Sequence, residues 1–447
     1  MRLPLQPAGL FGRRIVREGA WVAAGQIASA AAAIVSIRIM TELLTPDEFG
    51  RLTLLVGLAA LALGISVEPR LQAVMRSYAD AAREGRIGNL RAIGVRLVAP
   101  MVAGTALLIA GGGFVAGPWR GEPWFAGVLV AVMLLVDCLR MFEMALFSAA
   151  RRQRAMAAIY AADAWSRPLM AVAAVLAFGA SAESALAGYV GGSAAVVLAM
   201  RAFMRLEGVG EAAPPRDMSK DAELAAAMRR YALPLAPLAI LGWFNGIGDR
   251  YVIGGMIGLH EAGLYAAAYG LVSKPFLMLG TMAELLMRPI LFDAVAADDA
   301  GARRRAKLLW FALVGGGSAF GVLCFLVLGP YVAAVVLAAD YRETAVAMMG
   351  WIALGYAFYV MSVVNIRLCY AFHDTRAALL LTIASSAVML ATLLVFLKLY
   401  GLLGAAMAVP VYFGFQWAMA AALARRAERN WRAGRRHSGQ QAKMEPA

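Results

Sequence analysis

Long apolar runs, most of them 20 residues or more, recur along the chain with short polar breaks between them. A bilayer-spanning helix needs about 20 mostly apolar residues. On that measure the pattern predicts helices near 18–44, 50–76, 93–117, 123–150, 155–179 and 182–204. A polar stretch from Arg205 to about Arg230 follows, with Pro214, Pro215, Asp217, Lys220, Asp221 and Glu223. A second set then appears near 231–258, 262–291, 306–329, 344–371, 376–398 and 401–424. The expected fold is an all-α polytopic membrane protein of about twelve transmembrane helices in two six-helix lobes. The expected divisions are a cytoplasmic N-tail over 1–17, an N-lobe over 18–204, a cytoplasmic linker over 205–230, a C-lobe over 231–424 and a basic cytoplasmic tail over 425–447.

Arg13, Arg14 and Arg17 precede the first apolar run, as in a signal peptide. That run continues to about Leu44 and many like it follow, so it reads as the first membrane helix. Lys and Arg alternate in density between successive breaks. The tails and even-numbered loops hold roughly 28 of them, including Arg83, Arg151, Arg152, Arg216 and Arg303–Arg305, against 4 in the odd-numbered loops (Arg51, Arg120, Arg342 and Lys398). This bias puts both termini on the cytoplasmic side and requires an even number of spans.

Composition agrees: 62% of residues are hydrophobic, 16% are charged, and mean hydropathy is +0.70. The net charge of +14 would suggest nucleic acid in a soluble protein, but here the basic residues sit in short segments between apolar runs, and no nucleic-acid partner is expected. Cys138, Cys324 and Cys369 all lie inside apolar runs without a CxxC, so they read as small core residues; no metal or cofactor is expected. There is no P-loop, no HExxH, and His260, His373 and His437 fall in separate segments. The expected periplasmic loops are short, which counts against a membrane glycan polymerase or ligase.

The two halves look related. Leu43–Leu58 aligns with Met256–Leu271 at a constant offset of 213, matching Glu48 with Glu261, Gly50 with Gly263, Gly57 with Gly270 and Leu58 with Leu271. Such a duplication places a transport path between the halves, near the midplane.

Charges inside hydrocarbon are costly and normally face a bundle interior or water. Asp137, Arg140 and Glu143 recur every three residues on one helix face, and Asp163 and Arg167 are spaced i,i+4. They read either as locally compensated pairs or as the lining of a hydrated cavity. Lys274 lies about halfway along its helix with no acid three or four residues away, and Pro275 follows it. It calls for an anionic ligand or for a partner on another helix, such as Asp249 or Asp137. Arg38, with Glu42 at i+4, and Arg250 sit near the ends of the first and seventh helices, where snorkelling is the plain alternative to cavity lining. Asp249 and Arg250 are adjacent and so are not expected to share a helix face. Pro234 and Pro237 break the start of the seventh helix and, with Pro275, are candidate hinges.

The run from Arg38 through Leu43-Leu44-Thr45-Pro46-Asp47-Glu48-Phe49-Gly50 resembles the first-helix exit of polysaccharide transporters. Asp249-Arg250-Tyr251 through Glu261-Ala262-Gly263-Leu264-Tyr265 is its counterpart, with Ala262 in place of the usual aromatic. The resemblance is to the polysaccharide transporter, or O-antigen flippase, family of the multidrug/oligosaccharidyl-lipid/polysaccharide exporter superfamily. It implies a two-lobed fold, alternating access, a bacterial inner-membrane location, and an undecaprenyl-diphosphate-linked oligosaccharide as cargo for exopolysaccharide, capsule or O-antigen assembly. It further implies membrane lipid, a glycan polymerase and a chain-length regulator as partners, and basic cavity residues for the diphosphate: Lys274, Arg38 and Arg250, then Arg140 and Arg167. Asp137, Glu143, Asp163 and Asp249 are the ion-coupling candidates. The same acids leave a cation-coupled multidrug and toxin extrusion antiporter open as the alternative.

Overall fold

The computed structural model of the protein describes residues 8–116, 124–150, 153–206, 218–372 and 374–444, and all their regular structure is helical. Arg2, Arg120, Arg151, Arg152, Pro214, Pro215, Arg216, Asp217 and His373 lie outside the described residues.

Helix α1 (Ala8–Leu43) turns within two residues into α2 (Pro46–Ser66). Three features start α2. The Thr45 hydroxyl accepts from the Glu48 N–H at 3.4 Å, Pro46 supplies a preset φ in the first turn, and Asp47 and Glu48 place negative charge at the positive end of the helix dipole. Helices α9 (Ala236–Met256) and α10 (Leu259–Ala296) meet across a turn of the same two-residue length, shifted by the 213 residues of the sequence repeat. There Gly258 replaces Thr45, at φ 133°, a conformation closed to residues with a Cβ.

The second expected span, 50–76, is two helices. After α2, α3 (Glu68–Arg83) begins beyond Val67, whose φ of −114° leaves the helical line. Pro69 accounts for the break: it has no N–H for the Ile65 carbonyl, whereas in the first turn of α3 that donor is not needed. The freed carbonyls are not left bare. Arg70 Nη1 donates to Ile65 O at 3.1 Å and to Ser66 O at 3.0 Å.

Next come α4 (Ile87–Ala116), α5 (Phe125–Ala149), α6 (Gln153–Phe178) and α7 (Ala182–Leu206). The stretch expected as a polar linker contains α8 (Met218–Ala232). This helix is seated on α3 and α4 by Met228, which is buried among Leu71, Val74 and Leu90, and by Asp221, which accepts from Arg86 at 2.7 Å and Asn89 at 3.4 Å. A 3-10 turn over Leu233–Leu235 holds Pro234, and Pro237 opens α9. After α10 follow α11 (Ala300–Val336), α12 (Ala339–Ala371) and α13 (Thr375–Met444). Gly401, at φ 58° and ψ −143°, divides α13 into the eleventh and twelfth expected spans. Its second arm runs on to Met444 beyond the expected end at 424, supported by a 2.5 Å Glu428–Arg432 pair and by Arg303 of α11, which lies over the Trp431 ring at 5.0 Å.

Ten helical segments of the described residues are long and apolar enough to cross a membrane. The last of them contains the Gly401 break, and α1 covers the first run, so each of the twelve expected spans has its helix. Side chains such as Leu107, Leu108 and Phe178 are over 70% exposed, which suits lipid and not water. The protein is a multi-pass membrane protein.

By packing, the chain forms two compact units, Met1–Ile247 and Gly248–Ala447. In the first, α5 lies against α2, α4 and α7, and α6 pairs with α7 and α1. In the second, α12 lies against α10, α11 and α13. The fourth helix of each half thus packs against the second and third, a shared pattern that accords with duplication.

Small residues set the closest helix approaches, as expected where lipid removes the hydrophobic drive. At Gly188 of α7 an added Cβ would run into the Ala171 backbone of α6, and at Gly192 it would lie 2.7 Å from the Arg167 Cα. Gly191, one residue before Gly192, faces open space. Gly188→Ala and Gly192→Ala should each lower thermal stability in detergent by about 1–3 kcal/mol. Gly191→Ala should be neutral or mildly stabilising, and equal behaviour of all three would remove close packing as the cause.

Candidate functional site

The intramembrane charges of the first unit join helices. Arg140 of α5 donates to Asp137 on its own helix at 3.2 Å and to Asp163 of α6 at 2.7 Å. Arg167 of α6 donates to Asp137 and lies 3.5 Å from Asp163. The result is a closed group of two carboxylates and two guanidiniums, with Asp137 only 1% exposed. The sequence spacing gave the shared faces correctly but not the full pairing. Glu143, expected to join Asp137 and Arg140, instead accepts from Arg91 of α4. Two carboxylates and two arginines have zero net charge, so this group needs no ligand to be tolerated in hydrocarbon.

In the second unit the C-terminal part of α9 carries its buried residues, Gly248, Asp249, Arg250 and Ile253. Asp249 accepts from the Tyr265 hydroxyl at 2.9 Å and from the Arg250 backbone N–H at 2.8 Å. The Arg250 guanidinium returns to within 3.9 Å of the same carboxylate, so adjacency in sequence does not keep the two apart; the long Arg side chain curls back. It also lies 4.9 Å from the Tyr269 ring centroid, in cation–π range. Tyr265, Tyr269, Tyr356 and Phe413 continue this as a string of ring contacts at 5.3–5.5 Å across α10, α12 and α13. Tyr265 and Tyr269 stand i,i+4 on α10, but Tyr356 and Phe413 come from segments far off in sequence, and no local pattern announced their meeting.

Lys274 is different. It projects from the middle of α10, is exposed, and has no hydrogen bond or ion pair with any described residue. Its electrostatic neighbour is another cation, Arg250. Neither proposed acidic partner serves it: Asp249 is taken by Tyr265 and Arg250, and Asp137 by Arg140 and Arg167. Helix α10 continues through Pro275 and also through Pro289. Arg38 is paired with Glu42 at 2.5 Å and is about one-third exposed.

The segment that carried the family resemblance turns out to be a joint. Glu48 of α2 accepts from the Ala182 N–H at the start of α7 at 2.6 Å, and Arg51 pairs with Glu183 at 2.8 Å. Together they bind the start of α2 to the start of α7. A family model described as polysaccharide biosynthesis protein matches residues 15–295, which includes this joint.

The chain belongs to that family.

No curated protein matches this member of the polysaccharide biosynthesis family in sequence. Solved structures resemble it in fold. An inward-facing multidrug resistance MATE family transporter of the MOP superfamily superposes with a TM-score of 0.69 at 13% identity, over 90% of this chain and 96% of that one. A MATE transporter of Vibrio cholerae gives 0.67 at 11% identity, over 94% and 97%. The lipid II flippase MurJ gives 0.66 at 10% identity, over 91% and 86%. The protein therefore shares the fold of these transporters.

Breaking one member of the α5–α6 charge group strands its partners in a low-dielectric setting. Asp137→Asn should cost about 3–5 kcal/mol and lower the yield of folded protein. The double variant Asp137→Asn/Arg167→Gln should recover part of that loss in the same thermal assay, and an additive double variant would show that the two side chains are not coupled.

Proposed function

We propose that the protein flips an undecaprenyl-diphosphate-linked oligosaccharide across a bacterial inner membrane by alternating access, for exopolysaccharide, capsule or O-antigen assembly. The observation that carries the reading is the exposed, acid-free Lys274 in the middle of a membrane helix. An ammonium at that depth is stable only with water or an anion, and a diphosphate is an anion that accepts from Lys as a point charge. Family membership and a MurJ-like fold support the same cargo class. Arg250 adds a second cation near Lys274, although its charge is balanced by Asp249. Arg38, Arg140 and Arg167 remain diphosphate candidates that would have to exchange an existing acidic partner for substrate.

The antiporter reading is favoured by the MATE likeness and by the buried carboxylate of Asp249. It is weakened by pairing: Asp137, Glu143, Asp163 and Asp249 each have an arginine partner. A carboxylate that exchanges a proton or sodium for a cationic drug must be free of such a partner in at least one state.

Deleting the gene should leave complete lipid-linked oligosaccharide inside the cell and a bare surface. Normal surface glycan together with raised sensitivity to cationic drugs would instead establish the antiporter. Within the flippase reading, Lys274→Ala should cut surface glycan roughly tenfold or more at unchanged protein level, the scale of one lost charge-assisted hydrogen bond. Lys274→Arg should retain most of it. Full activity of Lys274→Ala would remove this residue from the mechanism.

A further inference from the structure

A groove of about 420 Å³ in the first unit lies between α3, α4 and the α8–α9 junction. Four arginines line it: Arg70, Arg96, Arg229 and Arg230. An adjoining cavity shares Arg230 and Met228 with it and adds Arg76, whose guanidinium lies 4.7 Å from the Tyr231 ring centroid. Among the described residues no acidic side chain lines either cavity. Arg70 is partly committed, through one nitrogen, to the Ile65 and Ser66 carbonyls. Arg96, Arg229 and Arg230 are exposed and form no ion pair or hydrogen bond with any described residue.

The depth of the groove is fixed by the sequence around it. From Leu97 to the end of α4 there is no charged residue, and none follows Arg230 until Asp249. Each uncharged stretch is about as long as a membrane span. The free arginines therefore stand where two apolar runs begin, which is headgroup depth. The remaining walls are apolar and open outward, with Met101 40% and Leu233 75% exposed. Arginines above, apolar side chains below and no acid between them match a ligand with an anionic head and hydrocarbon tails.

We infer that this groove is a binding site for an anionic phospholipid, with the headgroup phosphate held by Arg96, Arg229 and Arg230 and the acyl chains lying along Leu97, Met101 and Leu233. The lipid bridges α4 to the α8–α9 junction, and so fixes the start of α9. Phosphate suits the forked guanidinium donors, and each basic residue near a membrane surface adds an attraction that salt weakens.

The test uses the full chain in nanodiscs of phosphatidylcholine with a minor fraction of phosphatidylglycerol or cardiolipin, read by native mass spectrometry of retained lipid and by thermal stability. Wild-type protein should retain the anionic lipid through detergent exchange and gain stability from it. Arg96→Gln/Arg229→Gln/Arg230→Gln should retain it roughly tenfold to a hundredfold less and gain no stability, while melting like wild type in pure phosphatidylcholine. A control, Arg425→Gln/Arg426→Gln/Arg429→Gln, removes the same charge elsewhere and should behave like wild type. Equal loss in both triple variants would overturn the site in favour of diffuse attraction. Should the groove variant melt early in phosphatidylcholine, Arg96→Lys/Arg229→Lys/Arg230→Lys replaces it: retained charge with lost forked geometry should still weaken retention, and unchanged retention would overturn the phosphate contact. Displacement of the lipid by undecaprenyl diphosphate but not by excess phosphatidylglycerol would overturn the assignment to a bulk phospholipid. None of these arginines is part of the Lys274 site, so failure here leaves the flippase reading standing and its failure leaves this one.

Discussion

The cost of an ionised side chain in hydrocarbon governs how these helices are arranged. A buried charge without a partner is tolerated poorly, so buried acids help to select which helices become neighbours. Asp137 and Asp163 join α5 to α6 through Arg140 and Arg167. Glu143 joins α5 to α4 through Arg91, and Glu284 joins α10 to α12 through Arg367. Asp249 joins α9 to α10 through the Tyr265 hydroxyl. These contacts contribute less to net stability than to the choice of neighbours, because apolar helices in lipid have little else to distinguish one face from another.

The sequence segment shared with polysaccharide transporters has the same kind of role. Thr45, Pro46 and Asp47 start α2, Glu48 caps α7, and Arg51 holds Glu183 beside it. Glu48 and Arg51 are committed to these contacts. A motif of this sort identifies a family through its architecture, which is why it specifies a fold and leaves the cargo open. The second half keeps the two-residue length of the turn but builds it on Gly258, at φ 133° against −64° at Thr45, so the repeat preserves the length of the connection and not its backbone conformation.

Hydropathy made the spans legible because one property, the length of an uncharged run, decides whether a segment enters a bilayer. It hid the break at Val67, since that break depends on a single proline in an otherwise permissive stretch, and the Glu68-Pro69 pair was the clue. It also understated α8 and the end of α13, which are held by tertiary contacts of Asp221, Met228 and Trp431 and not by apolar length. Within the candidate site, i,i+3 and i,i+4 spacing revealed which charges share a face. It did not show that Glu143 turns to another helix, nor that Arg250 lies over Tyr269 at the head of a ring string running on to Tyr356 of α12. Partners across helices have no local spacing to read.

Charge placement also separates the two transport chemistries that this fold hosts. A cation exchanger has to offer an acid whose proton or sodium can be traded for cargo, and a carboxylate locked to arginine gives up its pairing energy each time it does so. A transporter of an anionic lipid has the opposite need: acids that stay neutralised while the helices move, and a cation left open to the cargo. Here the acids singled out as coupling candidates are all paired with arginine, while Lys274, halfway along α10, is exposed and has no acid partner among the described residues. In an apolar helix an open ammonium costs stability whenever the site is empty, a cost that an anionic headgroup removes on binding. That difference between empty and loaded states is what lets a cargo bias a conformational equilibrium.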